Sequence, residues 1–199
     1  MNCKVVIILF LVNFTVMHAQ RKKDLNEEEL AKLKEQTGID PNEVSDDAII
    51  LSPPKLTEED EGSKFMPEAY RCDACRSMSY LFVQKFTKAE VKKKGAKLSY
   101  VEILETVEEL CHDEFKEIGV KNVLGHNRFS GPGLNTAQMS GMVDAGGVWK
   151  NRMQKLCEEL VGEFEEDGIY AMWDDPEMSF EADLCSSYCR NQRRANTEL

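Results

Sequence analysis

Six cysteines limit the folds open to this chain: Cys72, Cys75, Cys111, Cys157, Cys185 and Cys189. A seventh, Cys3, lies in the opening stretch MNCKVVIILFLVNFTVMHAQ. There Lys4 supplies a positive charge, Val5 to Val16 is almost wholly apolar, and Ala19 is a small residue suited to cleavage. The pattern is that of a secretory signal peptide over residues 1–19. Its apolar run is shorter than the roughly 20 residues a spanning helix needs. Processing would remove Cys3 and leave an even set in an oxidising compartment, which predicts three disulfides. No later run approaches spanning length, so the expected product is luminal or secreted and soluble.

Charge narrows the partners. The chain has 25 basic and 36 acidic residues, a net charge of −11. Loss of Lys4 leaves 24 against 36, or −12. So acidic a chain repels nucleic acid and anionic lipid, and neither is expected as a partner. Scattered carboxylates could hold calcium weakly, but no compact loop of alternating Asp and Asn with a turn glycine is present.

Residues 20–66 read as an acidic, mostly disordered tail. Residues 21–66 hold seven basic and thirteen acidic side chains, and Pro41, Pro53 and Pro54 break regular structure. Apolar surface there is too scarce to offset the ordering entropy. Only Leu25, Leu30 and Leu33 in a short helical stretch, and the sticky AIIL at 48–51, offer anchors.

From Pro67 the spacing becomes helical, and a helical domain is expected over 67–192. Cys75, Met78, Phe82 and Phe86 recur at three- and four-residue steps, the stripe of an amphipathic helix. Lys92 to Lys94 and Gly95 suit its end. A second helix is expected from about Ser99, with Ile103, Leu104, Val107, Leu110, Cys111 and Phe115 on one face and Gly119 as its stop. Residues 120–147 lose the period, and Gly131, Gly133, Gly141, Gly146 and Gly147 with Pro132 mark turns there. A third helix should begin near Val148, with Trp149, Met153, Leu156, Cys157, Leu160 and Phe164 inward and an interruption at Gly168. A short last helix is expected over about 176–189. No run has the two-residue period of a strand, so the expected fold class is all-α.

The cysteines fall on or beside these stripes: two on the first helix, one on each middle helix, two on the last. Fifteen pairings are open to six cysteines. The economical one is nested, Cys72 with Cys189, Cys75 with Cys185 and Cys111 with Cys157. Positions three and four apart on a helix share a face, so antiparallel first and last helices would match both outer pairs. Two other uses of RCDACR (residues 71–76) stay open. Cys72 and Cys75 form a CxxC that could act as a thiol–disulfide redox pair, with Arg71 and Arg76 stabilising a thiolate and Asp73 opposing it. Against this, no strand precedes the motif. Cys72, Cys75, Cys185 and Cys189 could also form a four-thiolate zinc site, which an oxidising compartment disfavours. Neither metal nor cofactor is expected.

Two cysteines opening a domain, two in its middle and two closing it resemble the saposin-like arrangement. The 46 positions between Cys111 and Cys157 exceed the ordinary saposin spacing, and the glycine-rich segment is the excess. Four stretches in order, RCDACR, SGPGL at 130–134, GMVDAGGVW at 141–149 and GEFEEDGIY at 162–170, resemble a Canopy-related, saposin-like family of endoplasmic reticulum proteins. The resemblance covers about residues 66–190 and leaves the tail outside. It implies residence in the endoplasmic reticulum and help in folding and assembling secretory clients, immunoglobulin chains among them. Luminal chaperones are the implied partners, with links to calcium stores and integrin activation. A thiol oxidoreductase activity is the implied alternative, and a secreted saposin-type lipid binder is the rival from another class.

The chain ends in Asn196, Thr197, Glu198 and Leu199, within a C-terminal tail at 193–199. The last two residues match a KDEL-type retrieval signal, so a retrieval receptor is an expected partner, with partial escape to the medium. Met142, Val143, Val148 and Trp149, in or beside the glycine-rich loop, are the candidate client contacts. His112 and His126 read as surface histidines. Glu163, Glu165, Glu166 and Asp167 read as a solvated helix face or a docking patch. No Ser/His/Asp set, phosphate loop or paired-acid motif supports a hydrolase.

Overall fold

The computed structural model describes Glu27, Glu28, Ala31, Lys34, Asp40 and residues 53–190 apart from Glu114, Leu124 and Gly125. The signal stretch, AIIL at 48–51 and the NTEL ending lie outside the described residues. The chain divides into two compact units, Met1–Ser52 and Pro53–Leu199. In the first, Glu27, Glu28, Ala31 and Lys34 are helical, and the Lys34 ammonium pairs with Asp40 at 2.6 Å.

The second unit contains α1 (Glu58–Gly62), α2 (Glu68–Lys92), α3 (Tyr100–Cys111), β1 (Gly119–Val123), β2 (His126–Ser130), α4 (Asn135–Gln138), β3 (Val143–Ala145), α5 (Val148–Phe164), α6 (Glu166–Asp174) and α7 (Phe180–Leu184). The 25 residues of α2 form the spine, starting directly after Pro67, which occupies the cap position. Cys75, Met78, Phe82 and Phe86 along it are fully buried. From α5, Trp149, Met153, Leu156, Cys157 and Leu160 fill the same core, as do Val107 and Leu110 of α3.

The unit is mostly helical, but the all-α expectation needs correction. Residues 119–145 contain a three-stranded antiparallel sheet in the order β2-β1-β3. Gly119 faces Ser130 and Ala145, and Lys121 faces Arg128 and Val143. Val120 lies opposite Phe129, and both are fully buried. Lys121, on the other face, is buried as well. Its Nζ donates to Thr136 O and Met139 O at 2.8 Å each, closing the carbonyl end of α4. Burial on both faces removes the alternation by which a strand is read from sequence.

Helix ends also differ from expectation. The helix α3 stops at Cys111, not Gly119, and Phe115 turns inward with φ of +44° and is buried. The break after α5 falls at Glu165, at φ +60° and ψ +158°, rather than at Gly168. The last helix is only Phe180–Leu184, and a turn carries the chain to Cys189. Residues 53–66 share a compact unit with the helices, and Asp60 and Met66 are buried in it. A reciprocal capping box starts α1: Thr57 Oγ1 accepts from Asp60 N–H, and Asp60 Oδ2 accepts from Thr57 N–H.

Ion pairs link α2 to α3. Lys85 Nζ lies 2.7 Å from Glu109 and 3.6 Å from Asp113, and Lys93 Nζ lies 2.6 Å from Glu102. Glu102 also accepts from Ser99 N–H and Ser99 Oγ–H, completing the cap of α3. The bond from Lys93, followed by those from Ser99, lowers its carboxyl from near 4.5 to about 2. A lowered acid stabilises the fold above its unfolded value and loses that effect as pH falls through the folded one. The first amides of α3 are therefore expected to lose protection between about pH 4.5 and pH 2. Hydrogen exchange corrected for intrinsic rates checks this, and a Glu102→Gln chain should show no such step.

Candidate functional site

The hexapeptide RCDACR lies in the first two turns of α2. Cys72 and Cys75 are three positions apart and face the same neighbour, the segment from α7 to Cys189. Cys72 is bonded to Cys189 with Cα atoms 4.6 Å apart, and Cys75 to Cys185 at 5.8 Å. Cys111 is bonded to Cys157, joining α3 to α5 at 5.3 Å. Cys72 and Cys75 are 4% and 0% exposed.

The arginines of the motif are engaged too. Arg71 Nη2 donates to Glu159 of α5 at 3.2 Å, and its guanidinium lies 5.1 Å from the centre of the Tyr188 ring. Arg76 Nε donates to Glu181 of α7 at 2.8 Å. Asp73 is half-buried between them, and burial raises its carboxyl pKa while Arg128 and Arg76 partly offset that. In this oxidised form neither Cys72 nor Cys75 is free to attack, and the positive charges beside them face carboxylates instead of a thiolate. Chemically the hexapeptide fastens α2 to α5 by one ion pair, to α7 by another, and to the turn that follows α7 by two covalent bonds.

The SGPGL stretch packs on the same helix. Gly131 lies where a Cβ would sit 2.8 Å from Ser77 Oγ, which donates to Pro132 O. Gly133, at φ +82°, lies against the Tyr80 ring, with space for a hydrogen only. The glycines let the loop approach α2 closely and so anchor one end of the sheet.

GMVDAGGVW supplies β3 and the entry to α5. Met142, Val143 and Val148 are 48%, 39% and 40% exposed. All three residues of β3 are exposed, and β3 forms an edge of the sheet. Trp149 does not join them on this exposed edge, where it was expected: it is 1% exposed. The first turn of α5 aims it at the core, edge-on to Tyr70 at 5.8 Å and Phe129 at 6.3 Å.

GEFEEDGIY forms the α5–α6 corner. Ile169 and Tyr170 point inward, while Glu163, Glu165 and Asp167 are exposed. The Tyr170 hydroxyl donates to Glu90 and accepts from Leu98 N–H at 3.1 Å, tying α6 to α2 and the α2–α3 loop. Among the described residues no group of three or more His, Cys, Asp or Glu is placed to hold a metal. His112 and His126 are exposed.

No protein-family model matches the chain. It is 34% identical over 147 residues to the marginal zone B- and B1-cell-specific protein of Mus musculus, covering 69% of this chain and 78% of that one. The protein of the same name from Bos taurus is 36% identical over 154 residues, 73% of this chain and 82% of that one. The Homo sapiens protein is 34% identical over 146 residues, 69% and 77%. The chain belongs to the family of marginal zone B- and B1-cell-specific proteins.

Membership bears out the resemblance read from the four stretches. In this member of the family all four are packing devices at least in part, because each sets a close contact or a covalent link around α2 and α5. Sequence reasoning missed the buried charges. Arg152 and Asp60 are 1% and 3% exposed. A sign was available for Arg152, which falls three positions after Trp149 and one before Met153, inside the inward stripe of α5. For Asp60 the sign was Thr57 three positions earlier, a capping pair in a segment dismissed for its charge.

Proposed function

We propose that this protein is an endoplasmic-reticulum-resident co-factor that assists folding, assembly and secretion of client polypeptides by binding them. One observation carries the reading: the CxxC cysteines are buried in links to the end of the domain, while apolar Met142, Val143 and Val148 stay exposed on and beside a sheet edge. The pairing of first with last and middle with middle cysteines supports a saposin-like arrangement enlarged by the sheet. The family resemblance supports immunoglobulin chains or comparable secretory chains as clients and luminal chaperones as partners. Asn196, Thr197, Glu198 and Leu199 act in this reading as the retrieval signal.

The test is capture of a reduced, carboxymethylated secretory protein by the purified chain. Met142→Asp with Val143→Asp is expected to weaken capture roughly tenfold, a change of about 1.4 kcal/mol, with far-UV circular dichroism unchanged. Unaltered capture removes this edge from the proposal. Turnover in an insulin-reduction assay would instead favour the oxidoreductase, and co-sedimentation with neutral lipid vesicles the saposin-type lipid binder.

A further inference from the structure

Residues 53–66 are held in an unusual way. Arg152, itself 1% exposed, reaches out of α5 and, among the described residues, donates to main-chain carbonyls of this segment alone. Its Nε and Nη2 bond to Ser63 O at 3.0 and 2.7 Å, and Nη2 also to Glu59 O at 3.3 Å. Asn127 of β2 donates its side-chain amide to Lys55 O at 2.6 Å. The Tyr70 hydroxyl lies close to both Asp60 and Asn127, and burial followed by the Asp60 charge pushes its pKa up to about 12. Apolar anchoring is slight: Leu56 is partly buried, Met66 is buried, and Phe65 is 59% exposed with the Lys155 ammonium 4.7 Å from its ring.

Two properties of this contact point beyond a fixed structural role. First, a five-residue helix has no stability of its own in water, so α1 exists only while docked. Second, the receiving face has more donors than the segment fills. Trp149 Nε1–H and Arg152 Nη1 are buried and have no hydrogen-bond partner among the described residues. The two groups are adjacent, with the Arg152 guanidinium 4.4 Å from the centre of the Trp149 ring. A buried donor without an acceptor destabilises the closed state, and a segment offering one more acceptor there would bind better. The rings of Tyr70, Phe129 and Trp149 pack against one another next to these donors and are buried.

From this we infer that residues 53–66 are a displaceable strap. They occupy a carbonyl-binding face built by Arg152, Trp149, Asn127 and Tyr70, and yield it to a polypeptide segment that brings main-chain carbonyls and one carboxylate. Recognition through main-chain carbonyls depends little on sequence, which suits varied clients. In that respect the inference rests on the client-binding reading. The strap's mobility is independent of it.

The strap is tested without any client. Hydrogen exchange on the full chain should show the Glu61 and Ser63 amides, which donate to Thr57 O and Glu59 O, exchanging at least ~100-fold faster than amides in the middle of α2. Thr57→Ala removes the capping box and should speed strap exchange roughly fivefold while α2 is unchanged. A fluorescein-labelled peptide of residues 53–66 competes with the in-chain strap, whose effective concentration is about millimolar. It should bind the Thr57→Ala chain roughly fivefold more tightly than the unaltered chain, and Arg152→Lys should weaken that binding. Strap amides as slow as those of α2 in both chains would overturn the inference. So would a peptide that fails to bind the Thr57→Ala chain at millimolar concentration. Either failure leaves client capture through β3 standing, and loss of that capture leaves the strap result standing.

Discussion

Replacing Cys75 and Cys185 by alanine is expected to destabilise the domain by about 2.5 kcal/mol, and replacing Cys72 and Cys189 by about the same. Replacing all four is expected to cost about 7 kcal/mol. The inequality follows from nesting. With Cys72–Cys189 intact, the unfolded chain already holds Cys75 three residues from one side of the bridge and Cys185 four residues from the other. The second bond then closes only a small ring. With both gone, the unfolded chain regains the freedom of a loop spanning 117 positions. Cys111–Cys157, with a separation of 46 and its cysteines more than 25 positions from those of either outer bridge, still closes a large loop and should cost about 4 kcal/mol alone. Domains of this kind are commonly stable by about 5–15 kcal/mol, so the fourfold variant approaches the limit of folding. Urea unfolding without reductant measures all four numbers. A four-alanine loss equal to the sum of the two single-bridge losses would show that the bridges act in the native state and not through chain entropy.

Phe86→Ala is the second large effect, about 4 kcal/mol. Phe86 is fully buried, 5.8 Å from Phe82, 5.2 Å from Tyr170 edge-on and 5.3 Å from Trp173. With the Tyr170–Glu90 hydrogen bond it is what holds α6 on α2, and no disulfide spans that contact, so the cavity cannot be offset covalently. The variant should also shift Trp173 emission to the red, as α6 loosens and water reaches the ring. Phe86→Leu keeps most of the volume and should cost under about 1.5 kcal/mol with little spectral change. Equal losses for the two variants would mean that α6 collapses onto the vacated space.

What the sequence revealed depended on how long each element is and how much of it faces inward. In α2 and α5 the inward residues recur over several turns, so Cys75, Met78, Phe82 and Phe86, and then Met153, Leu156, Cys157 and Leu160, declare their helices. The sheet had only Val120 and Phe129 to declare it, with glycines at its ends. Lys121 hid the alternation because its ammonium is buried against α4 carbonyls. Residues 53–66 were hidden for a different reason. Their docking uses backbone oxygens and one capped acid, and neither leaves an apolar pattern. At the candidate site the three exposed residues on and beside β3 were identifiable as apolar groups among glycines. Trp149 is not exposed with them because it belongs to the helix that follows β3 and takes that helix's inward direction.

The outer bridge has a mechanical consequence. Tension applied to the segments before Cys72 and after Cys189 would run from one to the other through the Cys72–Cys189 bond. Everything between them would carry almost no force. Residues 53–66, outside that bond, would carry it in full and peel away first. A protein gripped at its two ends would thus shed its strap while its core stayed mechanically silent.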